Sequence, residues 1–409
     1  MNGTWPLLLG MGVLMLGAGL QGTLLSLRAT LDGFPTPVTG IIMSCYYVGY
    51  LAGTAAAPRM LRRIGHIRVF AALAAGASAT ILVQAAFVQP FVWAAMRLIS
   101  GVCFAGIYVV AESWLNDRAS KTNRGRLLAI YMLVLYVGLG TSQFLLILAN
   151  PSTPTPFMLV SVLISLSLVP IVVSAQQAPE PALPRRVRYR DLYRNSPLGV
   201  VAVSVSGMIS SIVFAMGPVY ARLSGFGNTG VATFMAVSIL AAVLTQYPVG
   251  RLSDRTDRRT VIAAACALAT VVAGSIVAFG DMPRALFFLL TALFSGSALT
   301  LYSLAVSHVN DKLEPAQMVA ASSALLRLNG GAAAVGPVLA GSVIAAYGPS
   351  AYFTMLAALT GTLTVYDLWR KSRRKPVPPE QKGPFISAQP QAMSGQIVSG
   401  VRPEPHPAE

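Results

Sequence analysis

Two ionisable side chains lie within one long apolar segment, and they are the residues best suited to chemistry. Arg97 and Glu112 fall in residues 91–115, a segment long and apolar enough to cross a membrane. At about 100° per residue, a helix places both on one face, together with Gly101 and Tyr108. An ionisable group inside a membrane is costly and faces the protein interior. We therefore expect Arg97 to face a cavity and to meet a substrate anion or a coupling group.

A second interpretation of Arg97 remains open, in which it bonds backbone carbonyls and holds helices together. Arg97 and Glu112 are about 22 Å apart along the helix axis and cannot pair. Glu112 could instead pair with Arg327 of the eleventh segment, because both residues lie toward the same surface of the membrane. Each charge would otherwise be uncompensated in a low dielectric. The alternative is local pairing of Glu112 with one of three arginines that follow it, Arg118, Arg124 and Arg126.

Other polar side chains within apolar segments could line a shared cavity. Singly, each is more often a helix-packing hydrogen bond than a ligand contact. Besides Arg97 and Tyr108, the candidates are Gln21, Tyr46, Tyr47, Tyr131, Tyr136, Gln143, Gln246, Tyr302 and Asn329. The three histidines do not cluster with carboxylates or cysteines, and no nucleophile–base pair or phosphate loop is visible. The sequence therefore predicts no metal site, no cofactor and no enzyme.

Twelve apolar segments position these side chains. A helix crossing about 30 Å of hydrocarbon needs about 20 mainly apolar residues, and lipid favours helices because backbone polar groups must be satisfied internally. Only 11% of residues are charged, against about 25% in soluble domains. The predicted spans are residues 5–27, 38–58, 69–88, 91–115, 127–149, 156–175, 198–221, 230–250, 260–280, 283–306, 321–347 and 349–368.

The placement of Lys and Arg predicts orientation. The net charge is +16, but the basic residues form short clusters between spans rather than the continuous basic face of a nucleic-acid-binding protein. Of the 30 Lys and Arg residues, 25 lie on one side of the predicted bilayer and three on the other. We call the first the basic side. The positive-inside rule then predicts cytoplasmic termini in a multi-pass protein of the inner (plasma) membrane.

A Pro-rich, basic stretch divides the spans into two sets of six. It covers residues 176–197 and predicts a linker on the basic side between an N-terminal bundle, 1–175, and a C-terminal bundle, 198–369. The polar remainder, 370–409, is expected to be a disordered tail on the same side.

The two halves also repeat one another. At an offset of 194 residues, IYVVAESWLND at 107–117 lies over LYSLAVSHVND at 301–311, so Tyr108 matches Tyr302 and Asp117 matches Asp311. Because each half has six spans, the halves lie parallel in the membrane. Two-bundle transporters with this symmetry bind substrate between the halves, near the midplane.

The loop after the eighth span carries a family resemblance. Residues 250–259, GRLSDRTDRR, resemble the signature G-x-x-x-D-R-x-G-R-R of the major facilitator superfamily, with Asp257 in place of the usual glycine. The first-half copy, PRMLRRIGHI at 58–67, is degenerate. In the family this loop latches one bundle to the other, which implies gating roles for Gly250, Asp254, Arg255, Arg258 and Arg259. The alternative is a basic loop that only sets topology.

Chemistry gives the signature residues specific tasks. Gly250 allows close helix approach, and Asp254 could cap a neighbouring helix N-terminus. Arg255, Arg258 and Arg259 are expected to hold the loop at the surface. Arg97 and Gly101 also resemble the family's fourth-helix signature, R-x-x-x-G. Four further stretches resemble a YcaD-type branch of bacterial transporters: residues 43–53, 109–113, 123–131 and 246–254.

The resemblance implies an all-α membrane protein with twelve transmembrane helices in two pseudo-symmetric six-helix bundles. It implies a secondary active transporter, acting as a monomer in the lipid bilayer, that moves a small-molecule solute by alternating access. Arg97 favours a polar or anionic organic solute, because the midplane lacks a carboxylate for a cation. Proton coupling stays open and would use Glu112 or Asp32. Two alternatives remain: an efflux carrier for hydrophobic compounds or drugs, and a transporter-like membrane sensor.

Overall fold

The structure is a computed structural model that describes residues 4–118, 124–173, 189–313, 315–371, 383 and 385. The regular secondary structure in these residues is helical throughout. The helices are α1 (Trp5–Leu31), α2 (Thr36–Ile64), α3 (His66–Ala86), α4 (Pro90–Arg118), α5 (Arg124–Leu145), α6 (Thr155–Leu166), α7 (Leu168–Val173), α8 (Tyr189–Asn195), α9 (Pro197–Leu223), α10 (Asn228–Arg255), α11 (Arg258–Ala278), α12 (Arg284–Ala298), α13 (Leu301–Asn310), α14 (Pro315–Tyr347) and α15 (Ala351–Lys371).

Eleven segments in the described ranges are long and apolar enough to cross a membrane. Two of them are broken helices, since α6 and α7 form one crossing and α12 and α13 form another. The predicted twelfth span corresponds to α15, which has 21 residues. The predicted all-helical membrane fold is confirmed. Part of the predicted linker forms the short helix α8, while residues 176–188 lie outside the described residues.

Glycines bring helices of one bundle close together. In the N-terminal half, α4 packs against both α2 and α3, and α1 packs against α5. A Cβ on Gly49 would overlap the carbonyl oxygen of Leu98, and one on Gly101 would overlap that of Tyr46. The backbones of α2 and α4 therefore touch, as small residues permit between membrane helices.

The two halves meet mainly along three helix pairs: α2 with α14, α5 with α10 and α1 with α9. On the side opposite the basic side, Gly40 abuts the Pro337 carbonyl and Gly341 abuts the Thr36 carbonyl. The Ser26 hydroxyl adds a hydrogen bond to the Ala215 carbonyl at 2.7 Å. The bundles are therefore in direct backbone contact on this side.

Candidate functional site

A cavity lies where α1, α2, α4 and α5 face α9 of the other bundle. It brings together five of the eleven candidate cavity residues: Gln21, Tyr46, Tyr47, Arg97 and Tyr108. Sequence reasoning missed most of its apolar wall, because Leu and Phe occur on every face of a membrane helix. The lining residues are Ala18, Gln21, Gly22, Met43, Tyr46, Tyr47, Arg97, Phe104, Tyr108, Leu139, Phe214 and Ala215.

Arg97 is the charged residue of this lining. Its side chain is buried, with 5% exposure, and its guanidinium carbon lies 4.4 Å from the centre of the Tyr46 ring. This is cation–π contact, made possible because Gly101 lets α2 approach α4 beside it. The buried Nε has no hydrogen-bond partner among the described residues. Arg97 therefore keeps donor capacity for a ligand.

Gln21 supplies a second donor from α1. The residue is 1% exposed, and its Nε2 has no hydrogen-bond partner in the described part of the chain. Buried polar groups in folded proteins are nearly always bonded to protein or water. Two buried donors without protein partners in one cavity mark it as a place for water or for a polar ligand.

Aromatic rings form one wall of the cavity. Phe104 lies between Tyr46 and Tyr108, with centroid distances of 6.3 Å and 6.4 Å. The Tyr108 hydroxyl lies 3.6 Å from the Met15 sulfur, a weak acceptor. No Asp or Glu is among the lining residues. The cavity thus combines one cation with flat apolar surface, a combination suited to an anion that carries an apolar body.

Glu112 occupies a separate, fully buried position on α4, one turn beyond Tyr108. It interacts electrostatically with four tyrosines: Tyr50, Tyr108, Tyr131 and, from the C-terminal half, Tyr302. Tyr131 and Tyr302 were predicted to line the cavity, but the structure places them in this tyrosine group around Glu112.

Arg327 does not pair with Glu112 in this structure. It is exposed, and its Nε donates to the Tyr189 hydroxyl of α8 at 3.0 Å. The structure therefore brings Arg327 to the linker helix. An ion pair with Glu112 would belong to another arrangement of the bundles.

Two further predicted cavity residues lie outside the lining. Asn329 donates from Nδ2 to the Val203 carbonyl at 3.0 Å and to the Ser206 hydroxyl at 3.2 Å, so it joins α14 to α9 within one bundle. Tyr136 is buried on α5, three residues before the cavity residue Leu139. Asn329 therefore makes helix-packing hydrogen bonds rather than lining the cavity.

The signature loop is organised around a buried arginine. The Arg258 side chain is 1% exposed and pairs through Nε with Asp311 Oδ2 at 2.6 Å. It also donates to the Ser253 hydroxyl at 3.0 Å and to the Asp254 carboxylate at 3.1 Å. Arg259 is buried too. The expectation that both arginines lie at the surface is wrong, because Asp311 supplies a buried counter-charge; Arg255 is exposed as expected.

Asp257, rather than Asp254, caps a helix in this loop. Its carboxylate accepts from the backbone N–H of Arg259 at 3.1 Å, at the N-terminus of α11, and pairs with the Arg259 guanidinium at 2.9 Å. Burial acts to raise the pKa of Asp257, but the hydrogen bonds from Arg259 outweigh it and lower the pKa below the ordinary 3.8. The residue that departs from the signature thus acts as the N-cap.

Known proteins resemble this chain over most of its length. The family model described as Major Facilitator Superfamily matches residues 7–327 and 229–402. The uncharacterized MFS-type transporter YcaD of Salmonella arizonae is 30% identical over 358 residues, which are 87% of this chain and 92% of that protein.

Two solved structures share the fold. The nucleoside transporter NupG superposes with a TM-score of 0.74 at 14% identity, over 92% of this chain and 100% of that one. The human organic anion transporter MFSD10 gives a TM-score of 0.61 at 17% identity, over 89% of this chain and 98% of that one. At these identities the likeness concerns the fold alone.

Proposed function

This chain belongs to the major facilitator superfamily and is a multi-pass secondary transporter, and we propose that it moves a small polar or anionic organic solute, preferentially an anion, by alternating access. The observation that carries the proposal is Arg97, a buried cation in a cavity whose lining includes no carboxylate. A buried charge without a counter-ion is costly. A bound anion would relieve that cost, whereas a bound cation would add to it.

The shape of the cavity narrows the solute further. Tyr46 covers one side of the Arg97 guanidinium, so N–H groups that point away from the ring remain for the ligand. A carboxylate or phosphate can accept two such bonds. Gln21 offers a further donor, and the rings of Phe104 and Tyr108 would cover an apolar body.

A binding screen on the purified protein tests this proposal. Each solute skeleton would be offered as its carboxylate, its neutral amide and its amine, and stabilisation would be read as a shift in Tm. We expect the carboxylate alone to stabilise the protein, and Arg97→Gln to abolish the shift. Equal stabilisation by the three forms would overturn the proposal. Arg284→Gln, at an exposed arginine, is the matched control.

Efflux of hydrophobic compounds is the second candidate. It is favoured by the apolar part of the lining, which includes Met43, Leu139 and Phe214. If the cavity serves uncharged compounds, the Arg97→Gln variant should bind them with the same affinity as the wild type. Drug susceptibility of a deletion strain, complemented with wild type or with Arg97→Gln, separates the candidates. Uptake of the stabilising anion by the same strains gives the complementary measurement.

We propose that the bundles open and close on the basic side during gating, and that this side faces the cytoplasm, as the positive-inside rule predicts. When the bundles, residues 1–175 and 198–369, close there, Arg327 would exchange Tyr189 for Glu112. We propose that the protein works as a monomer in the inner membrane, with Glu112 as the group available for protons. The hydrogen bond of Arg327 with α8 and the electrostatic interaction of Glu112 with Tyr302 support an exchange at this level of the molecule.

A further inference from the structure

Two residues of the predicted tail contact the signature loop. The backbone N–H of Gly383 donates to Asp311 Oδ1 at 3.0 Å, and its carbonyl accepts from Arg258 Nη2. The Asp311 carboxylate bonds Arg258 through one oxygen and the Gly383 N–H through the other, so a tail residue joins the buried ion-pair network.

Phe385 contacts the other side of the same loop. Its ring is packed against the hydrophobic core and lies so close to Gly250 that a Cβ there would overlap it. Glycine at 250 thus makes room for the aromatic ring. The tail thus makes two contacts with this part of the chain: backbone hydrogen bonds at Gly383 and ring packing at Phe385.

We propose that Gly250, Arg258 and Asp311 form a peptide-binding notch whose occupant is the chain's own tail, and that docking of Gly383 and Phe385 holds the basic side in the arrangement seen here. The notch accepts the backbone of Gly383 and the ring of Phe385. Its acidic and basic groups bind the peptide backbone, and the glycine face of α10 binds the ring.

The position of the notch explains why docking affects gating. α10 is the helix of the C-terminal half that packs against α5 of the other half. Gln246 lies one helical turn from Gly250, and Tyr136 of α5 is near Gln246. The Phe385 ring on Gly250 adds bulk to the surface of α10, one turn from the Gln246–Tyr136 contact and toward the basic side. Closer approach of α5 and α10 there requires the ring to leave, so the docked tail opposes closure whichever solute is carried.

Hydrogen exchange on the full-length protein tests the docking. The Gly383 amide donates to a buried carboxylate, so we expect a peptide covering 383–385 to exchange at least about tenfold more slowly in the wild type than in Phe385→Ala. Gly250→Ala removes the room for the ring and should have the same effect. Phe279→Ala, at an exposed phenylalanine, and Gly274→Ala, where a Cβ meets open space, should leave exchange unchanged. Equal exchange in wild type and Phe385→Ala would overturn the docking.

Spin labels test the consequence for gating. Arg126 on α5 and Arg251 on α10 are exposed near the basic side, and a label on each reports the separation of these helices. We expect Phe385→Ala and Gly250→Ala to shift the distance distribution toward shorter values. Loss of exchange protection with an unchanged distribution in both variants would overturn the holding role of the tail.

Discussion

The Arg97 guanidinium lies over the Tyr46 ring, with its central carbon 4.4 Å from the ring centre. The contact occupies one side of the cation and leaves N–H groups available, so the same side chain can be held by protein and still bind a ligand. It depends on the close approach of α2 and α4 at Gly101. Ligand binding and helix packing are therefore linked at this point of the molecule.

Arg97→Lys should weaken binding of the anion found in the screen, although the charge is kept. Lysine offers a point charge without the planar pair of donors. A charge-assisted hydrogen bond contributes about 1.5–3 kcal/mol, so titration of the purified protein should show binding weakened by roughly 10- to 150-fold. Affinity within a factor of two of the wild type would show that geometry at Arg97 does not matter.

Gly49→Ala and Gly101→Ala should destabilise the protein. Each new Cβ would overlap a backbone carbonyl of the facing helix, and overpacking costs typically about 1–3 kcal/mol. The measurement is Tm in detergent. Gly274→Ala is the control, because its Cβ meets open space, and alanine in a helix interior is favoured by roughly 0.5–1 kcal/mol. A lower Tm in the control than in the two test variants would contradict the assigned packing of α2 on α4.

Asp311→Asn should lower stability more than any exposed carboxylate substitution. Removing one partner of a buried ion pair costs about 3–5 kcal/mol, and Asp311 and Arg258 are both nearly inaccessible. Asp281→Asn, in an exposed loop, should change the free energy of unfolding by less than about 0.5 kcal/mol. If the two variants unfold at the same temperature, the pair contributes nothing to stability.

Asp257→Ala should remove the cap of α11 and cost about 1 kcal/mol at neutral pH. The folded-state pKa of Asp257 is lowered below 3.8, so the carboxylate is ionised and stabilising above that pH. Its contribution is lost as pH falls through the lowered pKa. The difference in Tm between wild type and variant should be constant from about pH 5 to 8 and shrink below about pH 3.8. A difference that grows on acidification would refute the ionised cap.

Exchanging the charges of Glu112 and Arg327 tests the proposed gate. Each single reversal, Glu112→Arg or Arg327→Glu, should abolish uptake of the solute, because like charges would face each other when the basic side closes. The double reversal should restore part of the activity. Inactivity of a well-expressed double variant would exclude this pair and leave local pairing of Glu112 as the explanation.

Much of the fold follows from composition, because lipid permits few alternatives to the helix. Clusters of charged residues between the apolar segments then mark where each helix ends. The cost of burying a charge narrowed the choice of site residues: it favoured a cavity-facing Arg97, with bonding of backbone carbonyls as the alternative. The sequence could not show whether Asn329 lines the cavity or packs helices together, since a side-chain amide can find hydrogen-bond partners on any face of a helix. The same limit applies to Arg258, whose counter-charge Asp311 is distant in sequence, although its match with Asp117 in the repeat was a signal. Phe385 lies in a polar, Pro-rich context that gives no indication of a bound ring.

The glycine contacts of α2 and α14 on the side opposite the basic side imply an asymmetry between the two openings. There the surfaces that must separate are uncharged main chain, at Gly40 with Pro337 and Gly341 with Thr36. Ionic strength screens contacts between charged groups and leaves contacts between uncharged groups almost unchanged. Opening toward this face should therefore proceed alike in dilute and concentrated salt, whereas movements at the arginine-rich face should respond to it.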